Sequence, residues 1–484
     1  MMVEQYSTSD PNTDAAPRPG SPRVMLVKGY FNDPSSRQIC HPLGLMYLAA
    51  VLRESYGCQV RIIDMRIGDY SYERLEEEMR SFAPAFVGIS ALTAETVSMA
   101  RIAACAKKLD PDIAVLLGGP HATAYSERAV ESPDIDYVVA GEGEIVIGQL
   151  IQRLAAGESV RDLPGLVFRR DGSLVNNGRA ESYDDLDELP RPAYDLVPIR
   201  EYKEFYRPSR TGTGDYMSLF SSRACPYRCV YCHNIFGKKF RARSAANLFD
   251  EVRHLHETYE IREFEILDDI FNLDRNRLLE FCDMVIRSGL DLTFAFPNGL
   301  RCDRLDEEQL RKLRDAGTIY IAFAVETASP RLQKLIKKNI NLDRIRENIE
   351  IARSLGIHTN GFFMLGFPTE TLEEMNMTID FILTSKLHTF NLFTVQAFEG
   401  TELGRMAKDL GRDVVTDFAQ DYFTRSFHNL TDVPVETINR LRRKALFRFY
   451  GNPWRIYTLL RDFPGDMGPL TLARLFGRRL LGRS

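Results

Sequence analysis

Twice along this chain, short apolar runs alternate with amphipathic stretches of helical period, and this repetition restricts the fold to parallel α/β architecture. The first series runs from Arg23 to about Leu154, with strand-like segments at 24–27, 60–63, 86–89, 113–117 and 137–139 and helical segments such as 43–55 and 94–109. It predicts a doubly wound, Rossmann-like parallel sheet. The second series runs from Met217 to about Leu410, with strand-like segments at 217–221, 263–267, 292–296, 319–325, 359–365 and 391–395. Six βα units predict a partial (β/α)6 barrel of the TIM type, with functional residues at the carboxyl ends of its strands. A Pro- and Asp-rich stretch, marked by Leu189-Pro190-Arg191-Pro192, separates the two. At 484 residues the chain exceeds what one core supports. The expected division is a disordered tail (1–22), the Rossmann-like domain (23–155), a linker (156–215), the barrel (216–415) and a small, basic helical region (416–484).

Composition narrows the class. A net charge of -5 with 27% charged residues gives no general attraction to nucleic acid. No apolar run reaches transmembrane length, and residues 1–21 lack the apolar core of a signal peptide. A cytoplasmic monomer with reduced thiols is expected. From Arg440 onward Lys and Arg far outnumber the two acids, Asp462 and Asp466. The stretches 440–444 and 475–483 are either solvated basic faces or a peripheral contact with an anionic membrane surface. Trp454 and Tyr457, beside Arg455 and Arg461, offer a third use, closing the barrel over a substrate.

Of eight cysteines, Cys40, Cys58, Cys105, Cys282 and Cys302 stand apart and read as small buried apolar residues. The other three form Cys225-Pro-Tyr-Arg-Cys229-Val-Tyr-Cys232, directly after the first strand of the second series. Closed zinc sites use four protein ligands, and His233 is poorly placed to join Cys232 on one tetrahedral ion. Three thiols at CxxxCxxC spacing can instead hold three irons of a cubane and leave the fourth open to a ligand.

This motif, with Tyr231 before its last cysteine and its place after strand one of a six-unit barrel, resembles the radical S-adenosylmethionine superfamily. The upstream doubly wound domain resembles that of its cobalamin-binding class. The resemblance implies that Cys225, Cys229 and Cys232 ligate a 4Fe-4S cluster whose open iron takes the methionine moiety of S-adenosylmethionine, which is cleaved to a 5′-deoxyadenosyl radical. It implies contact to the methionine amino group from Asp268 or Asp269 in Leu267-Asp268-Asp269-Ile270-Phe271. It implies ribose contact from Glu326 in Ala324-Val325-Glu326-Thr327, and close approach of the adenine to Gly366 in Met364-Leu365-Gly366-Phe367-Pro368. Asn298 and Arg301, at the end of strand three, also face the site.

For cobalamin, the ligand side of the first sheet supplies Ser90, Thr93, Gly118, Gly119, His121, Gly141 and Glu142. A DxHxxG signature is absent after strand one, where the chain reads Lys28-Gly29-Tyr30-Phe31-Asn32. Neither His41 nor His121 is expected as an axial ligand. The expected activity is cobalamin-dependent methyl transfer to an unactivated carbon of a small molecule, whether natural product, lipid or tetrapyrrole, with electrons from a flavodoxin or ferredoxin. Cobalamin-dependent cyclisation or rearrangement is the alternative, and a cobalamin sensor with an inactive barrel is the alternative of another class. A tRNA methylthiotransferase would carry a second cysteine trio upstream, which Cys40, Cys58 and Cys105 do not form.

Overall fold

The computed structural model describes residues 20–32, 39–68, 70–209, 214–415 and 428–462. The expected disordered tail falls almost wholly outside these residues, as does the basic stretch 475–483.

The first sheet has seven strands: β1 (Arg23–Lys28), β2 (Gln59–Asp64), β3 (Phe86–Ser90), β4 (Ala114–Gly118), β5 (Tyr137–Val139), β6 (Leu166–Arg170) and β7 (Ser173–Asn176), in the order β2-β1-β3-β4-β5-β6-β7. The first five are parallel. β1 is buried from Val24 to Lys28, as a strand covered by helices on both faces must be. The chain leaves β1 in one direction for β2 and returns on its other side for β3. This reversal opens a crevice at the carboxyl ends, beside Lys28 and Ser90. β6 and β7 add an antiparallel hairpin, so this sheet extends beyond residue 155. Their turn carries Asp171 (φ 52°) and Gly172 (φ 78°), the Asp-Gly pair that a two-residue hairpin favours.

The second sheet comprises β8 (Tyr216–Leu219), β11 (Glu263–Ile266), β12 (Thr293–Leu300), β13 (Thr318–Glu326), β14 (His358–Leu365) and β15 (Thr389–Thr394), all parallel and in sequence order. A separate two-stranded ribbon, β9 (Ser222–Arg223) and β10 (Arg241–Ala242), sits above β8. The helices between the barrel strands start on capping side chains: Ser244, Asp274, Asp306, Asn341 and Thr371 each accept a first-turn N–H, worth about 1 kcal/mol apiece. Strand alternation sends Phe264 and Phe294 outward, where their rings stack at 5.6 Å and Phe294 meets Phe281 edge-on at 5.4 Å. Ala295 on the opposite face of β12 joins Tyr320 and Ala322 of the neighbouring β13 in a small cluster of their own. That face is the barrel interior, where the two alanines leave room beside Tyr320.

The helix Val435–Tyr450 packs against β15, where Phe449 meets Phe390 edge-on at 4.7 Å. In the next helix, Pro453–Asp462, Arg455 donates to the carbonyls of Leu383, Ser385 and Leu387, just ahead of β15. This is the end of the barrel opposite the strand carboxyl ends. Trp454 (66% exposed) and Tyr457 (53% exposed) therefore do not close the barrel mouth.

Candidate active site

The cysteine loop leaves β9 and returns through β10, so a short antiparallel ribbon closes its base. Ala224, immediately before Cys225, holds φ 70°, a strained conformation for a residue with a Cβ. The loop is tied on several sides: Val230 N donates to Ile336 O (3.1 Å), Leu403 N to Val230 O (3.0 Å) and Lys238 Nζ to Tyr227 O (2.7 Å). Arg301, gripped by Asp303 at 2.7 Å, lies 4.0 Å from the centre of the Tyr227 ring. Burial raises the Cys225 thiol above its ordinary value, opposed by a backbone hydrogen bond from Tyr227 and reinforced by the neighbouring Cys229. Cys232 is exposed as a residue, yet its thiol is crowded enough by protein that desolvation, then Cys229 and Asp269, push it up to about 11. Thiols that resist ionisation in this way gain from a cationic centre between them. Among the described residues no three His, Cys, Asp or Glu side chains converge as a single metal ion requires. Three thiols at CxxxCxxC spacing, with no fourth protein ligand among the described residues, fit a polynuclear cluster better than one tetrahedral ion.

The two adjacent carboxylates after β11 have different fates. Asp268 is buried and accepts from Ser221 N (2.6 Å), Ser221 Oγ (2.5 Å) and Ser222 Oγ (2.6 Å), which fastens the β8–β9 turn to β11. Its acceptor capacity is largely used. Asp269 stands beside the cysteine loop, approached by His233 Nε2 at 3.8 Å. Burial, with Asp268 as a like charge, raises its carboxyl above the ordinary range, while His233 and Lys238 pull the other way. Asp269 is thus the carboxylate with room for a cationic ligand.

Glu326 ends β13 at φ 68°, buried, with Lys338 Nζ at 2.7 Å and the Tyr231 hydroxyl donating to it. Tyr231 joins this acid to the cysteine loop, and its ring lies 6.0 Å from Phe367. Gly366 holds φ 97°, which excludes other residues without strain. Its N–H and that of Phe367 are both donated to Glu370 Oε2, at 2.5 and 3.0 Å. Asn298 is exposed at the barrel mouth and donates Nδ2 to Leu267 O at 2.6 Å.

Glu370 gives this segment a pH dependence. Burial lifts its carboxyl to about 7 from an ordinary 4.5, only partly offset by the two N–H donors. Between those values the folded chain keeps a proton that the unfolded chain has released, so stability falls as pH rises from about 4.5 to about 7 and levels off above. Glu370→Gln should remove that share of the slope, at most on the order of 3 kcal/mol, in urea unfolding measured across this range. An unchanged slope would count against the assignment.

A cavity of about 530 Å³ lies over the carboxyl ends of the first sheet. Ser90, Gly118, Gly119, Gly141 and Glu142 line it; Thr93 and His121 do not. A Cβ at Gly118 would meet nothing within 4 Å, whereas Gly119, at φ 90°, would bring one within 2.9 Å of Ser90 Oγ. Thr93 opens a short 3-10 turn, and His121 is buried against Tyr125, held neutral by burial that lowers it to about 4. His41 does face the cavity, but its Nδ1 accepts from Ser218 N at 3.3 Å and its ring stacks on Tyr202 at 4.1 Å. The opposite wall comes from the barrel mouth: Phe220, Arg223, Phe236 and Leu267. Glycine backbone on one side and apolar side chains on both fit a large, flat macrocycle. Glu142 is no free acceptor, because Arg223 and Arg241 both bind it, and Glu144 takes the other end of Arg223 at 2.6 Å.

Two family models match the chain, the B12 binding domain over residues 34–151 and the radical SAM superfamily over residues 219–382. An uncharacterised methyltransferase of Pyrococcus horikoshii is 31% identical over 415 residues, covering 85% of this chain and 88% of its own. The cytidylyl-2-hydroxyethylphosphonate methyltransferase of Streptomyces wedmorensis is 30% identical over 416 residues, covering 75% and 77%. The chain belongs to the cobalamin-dependent radical S-adenosylmethionine enzymes. Its fold matches the radical S-adenosylmethionine methyltransferase TsrM from Kitasatospora setae, with a TM-score of 0.71 at 18% identity over 96% of both chains. The cobalamin-dependent S-adenosylmethionine radical enzyme OxsB aligns at a TM-score of 0.65 and 17% identity, over 88% of this chain and 61% of its own.

In this radical S-adenosylmethionine enzyme the structure brings the cysteines, Tyr231, Asp269, Glu326 and Gly366 to one end of the barrel. It adds Lys338, Glu370, Glu144, Arg223 and Arg241, which sequence reasoning missed. Only the acid of the Pro-Thr-Glu run gave a local signal, since a carboxylate soon after a positive-φ glycine often caps the turn's free N–H groups.

Proposed function

We propose that this enzyme is a methyltransferase that activates a small molecule through a radical, with Cys225, Cys229 and Cys232 holding the cluster and the cavity holding cobalamin. The observation that carries this reading is the shared wall: residues at the base of the cysteine loop also line the cavity, so both cofactors act on one space. A bound cluster supplies the electron that cleaves S-adenosylmethionine, and bound cobalamin supplies a methyl carrier. The chain's own residues position the reactants. Asp269 takes the methionine ammonium, which a carboxylate in a half-buried site holds by charge-assisted bonds. Glu326 accepts from ribose hydroxyls while Lys338 offsets its charge. Glu370 fixes the Gly366–Phe367 turn against which the adenine packs, and Tyr231 and Phe367 keep water from that side.

The experiment is anaerobic reconstitution with iron, sulfide and hydroxocobalamin, followed by product analysis with S-adenosylmethionine and a one-electron donor such as flavodoxin or ferredoxin. Methyl transfer yields S-adenosylhomocysteine alongside 5′-deoxyadenosine once a substrate is supplied. Three relatives named anaerobic magnesium-protoporphyrin IX monomethyl ester cyclase, 25–26% identical, keep a cyclisation reading in view. That reading predicts 5′-deoxyadenosine with no S-adenosylhomocysteine. Reconstituted enzyme that forms neither product refutes both.

The protein acts as a monomer in this reading, with a peripheral membrane contact. No helix among the described residues is long and apolar enough to cross a membrane. The helix Val435–Tyr450 does expose Arg440, Arg443, Lys444, Phe447 and Arg448 along one face, and the exposed rings of Trp454 and Tyr457 lie beyond it, tilted with centroids 5.4 Å apart. Basic residues interleaved with exposed aromatics suit an anionic lipid surface. Sedimentation with phosphatidylserine vesicles should capture the protein more than with phosphatidylcholine, and Trp454→Ala with Tyr457→Ala should lower capture several-fold. Equal sedimentation with both lipids means the face is merely solvated.

A further inference from the structure

The ribbon that closes the cysteine loop has an unusual pairing: Arg223 on β9 stands directly opposite Arg241 on β10. Both are buried. Like charges facing across a strand pair repel, and more so out of water. The ribbon holds because a carboxylate from the other sheet enters between them. Glu142, on the loop after β5, accepts from Arg223 Nη1 at 2.6 Å and from Arg241 Nη1 at 3.1 Å, with Arg241 Nη2 on its second oxygen. Glu144 accepts from Arg223 Nη2 at 2.6 Å. The same Gly141-Glu142-Gly143-Glu144 loop and Arg223 form part of the cavity wall, and Tyr47 and Phe236, whose rings Arg223 approaches at 5.4 and 5.7 Å, complete it.

The stem of the cysteine loop is therefore assembled from both sheets. Only Ala224, with its strained φ, separates Arg223 from Cys225. An occupant that presses on the Glu142 loop from the cavity side acts on Arg223, and so on the thiol next to it. We propose that Glu142 and Arg223 couple the two cofactor sites, so that cobalamin in the cavity tightens the grip on the cluster and the cluster tightens the grip on cobalamin. Both are positioning residues. The proposal rests on the assignment of loop and cavity made above. Linkage requires the two effects on binding affinity to be equal in size, because one coupling free energy governs both, while the rate of cluster loss need only change in the same direction.

The test uses the full-length protein with reconstituted cluster and hydroxocobalamin as the probe. Two quantities are read: the rate at which a chelator bleaches the cluster's visible absorbance, with and without cobalamin, and the cobalamin dissociation constant with and without cluster. In the wild type, cobalamin should slow cluster loss several-fold, and the cluster should tighten cobalamin by about tenfold. In Glu142→Gln both ratios should fall to about one while both cofactors still bind. Should that variant fold poorly because two arginines face one another, Glu142→Gln with Arg241→Gln restores the charge balance of the ribbon and should show the same lost coupling. Glu144→Gln leaves Glu142 between the arginines and should retain most of it. A wild type that binds both cofactors with ratios of one overturns the proposal, as does coupling that survives in either Glu142 variant. A wild type that binds neither cofactor overturns the assignment as well, which separates the two failures.

Discussion

Cys229→Ala is expected to leave a folded protein with no stable cluster and no detectable cleavage of S-adenosylmethionine. The middle cysteine has its neighbours on both sides in the loop, and the thiols of Cys225 and Cys232 are each perturbed by it. Two thiols separated by six residues cannot retain a cubane against chelation, so iron and sulfide content and the reduced-cluster paramagnetic signal should fall to background. The fold should survive. The loop is tied by the backbone of Val230, the carbonyl of Tyr227 and the ring of Tyr227 under Arg301, none of which involves the Cys229 side chain. Cys105→Ala, at a half-buried position on a helix of the first sheet, is the matching control and should keep its full iron. Full iron in Cys229→Ala would falsify the ligand assignment.

The second large effect separates two neighbouring residues that look alike. Asp269→Asn should weaken S-adenosylmethionine binding by roughly tenfold to a hundredfold, the range for losing one charge-assisted hydrogen bond. Its unfolding free energy should change little, since no protein group among the described residues hydrogen-bonds that carboxylate and its cationic neighbours, His233 at 3.8 Å and Lys238, act only at a distance. Asp268→Asn should do the reverse. Three donors from Ser221 and Ser222 converge on Asp268, and an amide nitrogen placed against any of them leaves a buried donor unsatisfied. That costs about 1–3 kcal/mol. Equilibrium unfolding and binding to the cluster-free and cluster-loaded protein distinguish the variants; an Asp269→Asn protein that binds normally but unfolds early would reverse the assignment.

This pair also marks how far the sequence could be read. Both sheets, the order of the barrel strands and the placing of the cysteine loop follow from periodicity and from one motif, because those signals are local. Asp268 and Asp269 could not be told apart because the deciding groups, Ser221 and Ser222, lie on another strand. Lys338 reaches Glu326 from a turn twelve residues on, and no local pattern announces the pair. The two-arginine ribbon is a matter of register, which a stretch of two residues cannot specify in sequence. The β6–β7 hairpin is different. Its Asp171-Gly172 turn was a readable signal, and weighing it would have extended the first sheet past residue 155.

The cavity's divided wall carries a consequence for how the protein is made. A chain emerging from its N-terminus completes the first sheet at β7 before any of Phe220, Arg223 or Phe236 exists, so the early domain carries half a pocket, apolar and open to solvent. Domains fold as they are synthesised, and exposed apolar surface is what misassembles. If the cavity holds cobalamin as proposed, its full wall is available to the macrocycle only after the barrel mouth has formed.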